Sequence, residues 1–201
     1  MTPQTTPEFL SKYRQAVGCF MYLIVGTRPD LAYSVQSLSR HLKNPHLCHW
    51  EAAKKVMRYV AGTLNYGLIY TGTSTELSAY SDSDYASDPL TRKSITGYCK
   101  MVGGNTISWC SKDECIVARS TPEAEYIALA HATREVLFQR MLHEQCLNPQ
   151  KEATILYGDN QPAIGVASNP VHHARTKQLM SDITLSEKGF KWATFSFATL
   201  L

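Results

Sequence analysis

Three carboxylates, Asp82, Asp84 and Asp88, fall within seven residues of the stretch Tyr80-Ser81-Asp82-Ser83-Asp84-Tyr85-Ala86-Ser87-Asp88. Carboxylate oxygens are hard donors, and several of them converging on one point suit a divalent cation of the Mg²⁺ or Mn²⁺ kind. A second pair, Glu123 and Glu125, opens an apolar-periodic segment, and Asp159-Asn160 closes a short apolar one. Acids delivered by three different elements are what metal-dependent phosphodiester chemistry requires. Taken alone, residues 80–88 also read as an acidic loop, because Asp and Ser hydrogen-bond their own backbone in turns.

Those acids need elements to hold them. Leu77-Ser78-Ala79-Tyr80-Ser81 alternates as a half-buried strand does, which places Asp82 at a strand end. Strands are expected over about 94–102 and 106–111. Gly103-Gly104-Asn105 joins them as a hairpin, since Gly and Asn accept positive φ. Cys115 to Arg119 suggests a further short strand. Ser120-Thr121-Pro122-Glu123 has capping-box spacing with a proline suited to a first turn, and the helix it starts runs to about Gln145. Thr154 to Tyr157 reads as a strand and Gln161 to Ala167 as a short helix, stopped by Asn169-Pro170. The order β-β-β-α-β-α implies a mixed sheet, an antiparallel part followed by a parallel strand reached through a helical crossover.

The first part of the chain is helical instead. Tyr13, Val17, Phe20 and Ile24 form one stripe and Leu31, Val35, Leu38 and Leu42 a second. Gly26 to Asp30 breaks them apart, with Thr27 as a cap. A third helix spans His49 to Ala61, with Ala52, Val56, Tyr59 and Val60 inward and Lys54, Lys55 and Arg58 outward. Leu68-Ile69-Tyr70 reads as a short strand, and the boundary falls in 72–76.

The 201 residues suit one ordinary domain, or one with an appendage, and 44% are hydrophobic, enough for a core. No run approaches the roughly 18 apolar residues of a membrane span, and the polar start of the chain lacks a signal-peptide core. The six cysteines have no regular spacing and read as reduced thiols; with His46 and His49 they match no zinc pattern. Residues 1–70 carry eight Lys/Arg against three Asp/Glu, residues 71–201 twelve against fourteen. A basic first part beside an acidic second part fits a polyanion-binding face next to a metal site.

The order of motifs resembles the C-terminal part of a copia-type retrotransposon Pol polyprotein, from the end of the reverse transcriptase into its ribonuclease H domain. In the first part the resemblance rests on Tyr13-Arg14-Gln15-Ala16-Val17-Gly18, Thr27-Arg28-Pro29-Asp30-Leu31-Ala32, His49-Trp50-Glu51-Ala52-Ala53-Lys54 and Arg58-Tyr59-Val60-Ala61-Gly62-Thr63. In the second it rests on Tyr80 to Tyr85, Thr91 to Tyr98, Ser108-Trp109-Cys110-Ser111-Lys112, Glu123-Ala124-Glu125-Tyr126, Asp159-Asn160-Gln161 and His173-Ala174-Arg175-Thr176-Lys177. It implies an α/β fold, a ribonuclease H-like mixed five-stranded-type sheet with helices, preceded by a small helical polymerase thumb or connection subdomain. The expected organisation is a disordered 1–8, the reverse-transcriptase tail at 9–72, the ribonuclease H-like domain at 73–180 and a divergent tail at 181–201.

Carried over residue by residue, the resemblance implies that Asp82, Glu125 and Asp159 are the catalytic, metal-binding carboxylates. Glu125 is preferred to Glu123 because the family's acid immediately precedes the segment matched by Tyr126-Ile127-Ala128; Glu123 is a charge complementing the helix dipole, and Asp84 a loop residue. His173 and Asp182 are auxiliary candidates, and Arg92, Lys93, Lys112, Arg175 and Lys177 the nucleic-acid contacts. The implied cofactor is two Mg²⁺ (or Mn²⁺) ions. The implied substrate is the RNA strand of an RNA–DNA hybrid, told from DNA by its 2′-hydroxyls. The rest of the reverse transcriptase in the parent polyprotein is the implied partner, in an intracellular setting, a cytoplasmic virus-like particle or the nucleus, with no membrane.

The chain also departs from that pattern. The paired aspartates of a polymerase palm would lie before residue 1, so no DNA synthesis is expected of it. Where the family has a fourth acid, in a His-Ile-Asp segment, this chain has Gln178-Leu179-Met180, with Asp182 two residues later. From Ser181 onward there is no resemblance; the ending reads as a frame change, or as a short strand near Phe190. Asp113-Glu114 puts acids where the family is often Lys-Gln, which would weaken hybrid binding. Two other functions therefore stand beside hydrolysis: a catalytically silent nucleic-acid-binding remnant, and a protein-interaction module.

Overall fold

The computed structural model describes residues 6–72, 74–146, 150, 152–168 and 190–194. The chain divides into two compact units, Met1–Ile69 and Tyr70–Leu201. No helix among the described residues is long and apolar enough to cross a membrane.

The first unit is three helices, α1 (Pro7–Gly26), α2 (Ala32–Ser39) and α3 (Leu47–Gly62), with a single 3₁₀ turn at Pro29–Leu31 between the first two. α1 starts earlier than expected. Thr6 is its N-cap, its hydroxyl accepting the Phe9 N–H at 3.2 Å, and Pro7 and Glu8, expected in a disordered lead, form its first turn. Proline suits that turn because no intrahelical partner waits for its missing N–H, and Glu8 faces the positive end of the dipole. Thr27 ends α1, its N–H donating to the Leu23 carbonyl. The stripes meet as expected: Tyr13, Val17, Phe20, Leu31, Val35, Leu38 and Ala53 are buried together, and the Tyr13 hydroxyl donates to the Leu38 carbonyl at 2.8 Å. Each fully buried large side chain in such a cluster contributes roughly 1.5–3 kcal/mol. Tyr59, expected inward, is instead 44% exposed.

Arg28 accounts for the Thr-Arg-Pro-Asp motif. It is only 4% exposed, and its guanidinium donates to both Asp30 carboxylate oxygens and to the carbonyl and hydroxyl of Thr63, beyond the end of α3. The rings of Tyr59 and Tyr66 lie 5.5 and 5.8 Å from its charge, within cation–π range. One side chain thus ties the α1–α2 corner to the far end of α3. The strand expected at Leu68-Ile69-Tyr70 does not form; no described strand pairs with it, and Ile69 is 83% exposed.

The second unit is built on a sheet of order β3-β2-β1-β4-β5: β1 (Leu77–Asp84), β2 (Ile95–Val102), β3 (Asn105–Asp113), β4 (Thr154–Gly158) and β5 (Phe190–Thr194). β1, β2 and β3 are antiparallel, whereas β4 is parallel to β1 and β5 to β4. The crossover from β3 to β4 is α4 (Thr121–Cys146), and α5 (Gln161–Ser168) follows β4. Mixed α/β with this element order is the ribonuclease H-like architecture that the resemblance implies. The β2–β3 turn is Gly103-Gly104, both at positive φ (55° and 79°), which glycine adopts without penalty. A Cβ on Gly103 would also collide with the Ser74 backbone. Cys115 to Arg119 is not a strand; Ile116 and Val117 are each 51% exposed and no described strand pairs with them.

α4 packs its first half against β1, with Ala124, Tyr126, Ile127, Leu129 and Ala130 buried. Only half of its capping box takes the expected form. The Ser120 hydroxyl accepts the Glu123 N–H at 3.3 Å, while the Glu123 carboxylate reaches past Ser120 to the Arg119 N–H at 2.7 Å. Leu77, Ala79, Leu156, Ala163 and Val136 complete the core.

Candidate metal centre

β1 alternates strictly. Ala79, Ser81 and Ser83 are buried, while Asp82 and Asp84 are exposed. β4 runs parallel beside it, with Tyr80 opposite Tyr157. These two rings stack, centroids 4.7 Å apart and planes 15° from parallel. In a strand, residues two apart share a face, so the pair that fixes the register also brings Asp82 and Asp159 side by side one step further on. Glu125, in the second turn of α4, comes from the layer packed on β1.

One carboxylate oxygen from each of Asp82, Glu125 and Asp159 lies within 4.8 Å of the others, and this is the one such acidic or His/Cys grouping among the described residues. Asp82 and Asp159 are exposed and Glu125 is buried. An all-oxygen set with one internal and two solvent-facing acids suits a hard divalent cation that keeps some of its waters. Asp84, one strand step beyond, is outside the group and adds only its charge. Asp88 is a loop residue: its carboxylate accepts the Leu90 N–H at 2.9 Å and the Thr91 hydroxyl at 2.5 Å. Asn160, next to Asp159, caps α5 by accepting the Ala163 N–H at 2.9 Å.

The crowding shows in the protonation of these acids. Burial pushes the Glu125 carboxyl up to about 8, with the charges of Asp159 and Asp82 adding to it. Asp82 is raised by burial first, then by Asp159 and Asp84. The Ser83 backbone N–H lowers both groups and works against both shifts. Between the ordinary glutamate value near 4.3 and about 8, the folded protein holds a proton that the unfolded chain has released. Metal-free stability is therefore expected to fall as pH rises through that window and to level off above it. Thermal denaturation in EDTA from pH 5 to 9 checks this. Glu125→Gln should flatten the decline, and Mg²⁺ should raise the melting temperature most at pH 8, because a cation binds the carboxylate form. A melting temperature that rises with pH in the parent would contradict the proposed electrostatics.

Of the expected nucleic-acid contacts, Arg92, Lys93 and Lys112 are among the described residues. Arg92 and Lys93 lie in the β1–β2 loop, where the Arg92 N–H donates to the Asp88 carbonyl and Arg92 takes φ 57°, a left-handed conformation unusual for a side chain with Cβ. Lys112 is on β3 and meets His131 of α4, its Nζ 3.2 Å from Nδ1. His173, Arg175, Lys177 and Asp182, with Met180, lie outside the described residues.

Three features escaped the sequence. The stacked tyrosines were present as residues two before each aspartate, a spacing that could have been noticed. The Ser83 N–H leaves no trace in residue types. Glu114, expected as a surface acid hostile to nucleic acid, is 2% exposed. Its carboxylate accepts the Thr96 hydroxyl and lies 3.4 Å from His131 Nε2. Burial would raise it, but His131 and Thr96 hold it below the usual range.

No family model matches the chain. Over 168 residues, 83% of its length, it is 45% identical to the retrovirus-related Pol polyprotein from transposon TNT 1-94 of Nicotiana tabacum. The chain spans 12% of that polyprotein, and 12% of two Arabidopsis thaliana Pol polyproteins as well. Over 127 residues it is 46% identical to the secreted RxLR effector protein 161 of Plasmopara viticola, covering 89% of that protein. Among solved structures, RNase H1 from Halobacterium salinarum aligns over 62% of this chain and 88% of its own, with 17% identity and a TM-score of 0.44.

Proposed function

Since the chain belongs to the retrovirus-related Pol polyproteins of copia-type transposons, we propose that its second unit is a ribonuclease H that hydrolyses the RNA strand of an RNA–DNA hybrid. The observation that carries this is the convergence of Asp82, Glu125 and Asp159 from two parallel strands and the helix between them. When bound there, Mg²⁺ or Mn²⁺ supplies Lewis acidity toward a phosphodiester and its attacking water. The protein's own part is to hold oxygen ligands in place before substrate arrives. Tyr80 and Tyr157 fix the strand register, and the Ser83 N–H favours the charged form of two of the carboxylates. Glu125, packed in the α4–β1 layer, holds a proton in the metal-free site, which relieves the repulsion among the three acids, and would release it when a cation binds. Arg92, Lys93 and Lys112, with Arg175 and Lys177, are proposed to contact phosphates, which position a strand without reading sequence. The first unit is proposed as the helical tail of the reverse transcriptase, the rest of which is the natural partner.

The experiment is cleavage of an end-labelled hybrid in Mg²⁺ and in Mn²⁺, with single-stranded RNA and duplex DNA alongside. Products appearing only with hybrid and metal are expected. A folded protein that binds hybrid and never cuts it would sink hydrolysis and leave the second reading, a nucleic-acid-binding remnant. That reading is favoured by one observation, Met180 standing where the resemblance places a fourth acid.

A further inference from the structure

A second charged cluster lies outside the acidic centre. Tyr98, Lys112, His131, Arg134 and Glu135 line a cavity of 230 Å³ between β3 and α4. Lys112 Nζ and Arg134 Nη2 are 3.2 and 2.9 Å from the same atom, His131 Nδ1. Ammonium and guanidinium groups only donate. Both contacts therefore make Nδ1 the acceptor and put the ring proton on Nε2, which faces the Glu114 carboxylate. The buried Glu114 anchors the ring from behind, and one ring lone pair serves two cations. The other acid at the cavity, Glu135, is engaged by Lys100 at 3.1 Å. Among the charged side chains that line the cavity, Lys112 and Arg134 stand against Glu135.

The cavity's position also matters. Ser83, whose N–H faces the acidic centre, pairs with Thr96, which pairs with Lys112. Two strand spacings of about 4.8 Å put Lys112 roughly 10 Å from Ser83. Along α4, the step from Glu125 to His131 is about 9 Å at 1.5 Å per residue. Both routes put the cavity about 10 Å from the acidic centre, close enough for one bound strand to reach both.

We propose that the β3–α4 cavity binds one backbone phosphate of the nucleic acid, with Lys112 and Arg134 as its cationic contacts and Glu114 and His131 positioning them. The phosphate oxygens take the donors that otherwise compete for the Nδ1 lone pair. This rests on the proposed hybrid substrate, so the test separates the two. Binding of a fluorescent hybrid to the full chain is measured in EDTA across a salt titration. The variant Lys112→Gln/Arg134→Gln is expected to bind about five- to tenfold more weakly near 0.1 M salt, with a log–log salt slope shallower by about 1. Lys112→Arg/Arg134→Lys should restore much of the affinity, and melting curves establish that each variant folds. Single methylphosphonates stepped along the backbone next to the cleavage point should include one position that weakens the parent and leaves the double variant no worse. Unchanged affinity and slope in a folded double variant, with a parent that binds hybrid, would overturn the cavity assignment alone. A parent that binds no hybrid would overturn both proposals. Competition by sodium phosphate beyond that of sodium chloride at equal ionic strength, lost in the double variant, would instead make the cavity a free-anion site.

Discussion

Replacing Asp82 by Asn is expected to abolish hybrid cleavage while leaving a protein that is folded and, without metal, more stable than its parent. The two effects share one cause. Asp82 lies within ligand distance of Glu125 and Asp159, and an amide of the same shape offers one neutral oxygen in place of a charged carboxylate. Partners that merely orient metal ligands are worth about 10- to 100-fold in affinity or activity, so removing a directly ligating charge should cost more than ~10²-fold in rate. The lost charge also stops pushing up the Glu125 carboxyl, which Asp82 does after burial and Asp159. Melting temperature in EDTA at pH 8 should therefore rise, and Mg²⁺ should raise it less than in the parent. Cleavage at parental rate in Asp82→Asn would remove the acidic centre from the mechanism. A drop in metal-free stability would show that Asp82 has a structural partner instead.

Arg28→Ala should unfold most of the first unit without touching the second. Arg28 is buried, paired with Asp30 at 2.8 Å and bonded to two oxygens of Thr63. Breaking a buried pair by deleting one partner costs about 3–5 kcal/mol; Asp30 retains some solvent, which places this case near the lower end. Whole domains are stable by only about 5–15 kcal/mol, so a three-helix unit of this size loses much of its margin. Lysine should rescue little, because it cannot reproduce a fork that reaches Asp30 and Thr63 together. Hydrogen-exchange mass spectrometry separates the outcomes: fast exchange across 7–62 with unchanged protection across 77–168 is expected. Equal protection in both segments would mean that the latch is dispensable.

Much of this was legible in the residues. The alternation from Leu77 and the glycine pair at 103–104 gave strands and hairpin, and the three acids lay at strand and helix ends where fixed backbone could aim them. What failed did so for physical reasons. Leu68-Ile69-Tyr70 and Ile116-Val117 have strand-forming residues, yet a strand exists only where a neighbour supplies hydrogen bonds, and that neighbour is not in the local sequence. Glu114 looked like any surface acid, because what buries it is His131 on another element and Thr96 on another strand. Tyr59 sits at an inward spacing but turns outward to the Arg28 guanidinium. Arg28 itself, a charged residue in a turn, carries no local mark of burial.

The strand order has a consequence for how the site comes into being. The β1–β2–β3 meander closes between neighbours in sequence, whereas the parallel β1–β4 pair waits for the α4 crossover, and closing long loops is slow and entropically costly. Until β4 docks, neither Asp82 nor Glu125 has Asp159 beside it, and the larger charge repulsion on each is absent. The part of the electrostatic cost that Asp159 adds thus falls on a single late event in folding. Alkaline, metal-free conditions burden the docking of β4 and hasten its release, while the meander forms regardless. A divalent cation then acts as a latch on assembly before it takes part in any chemistry.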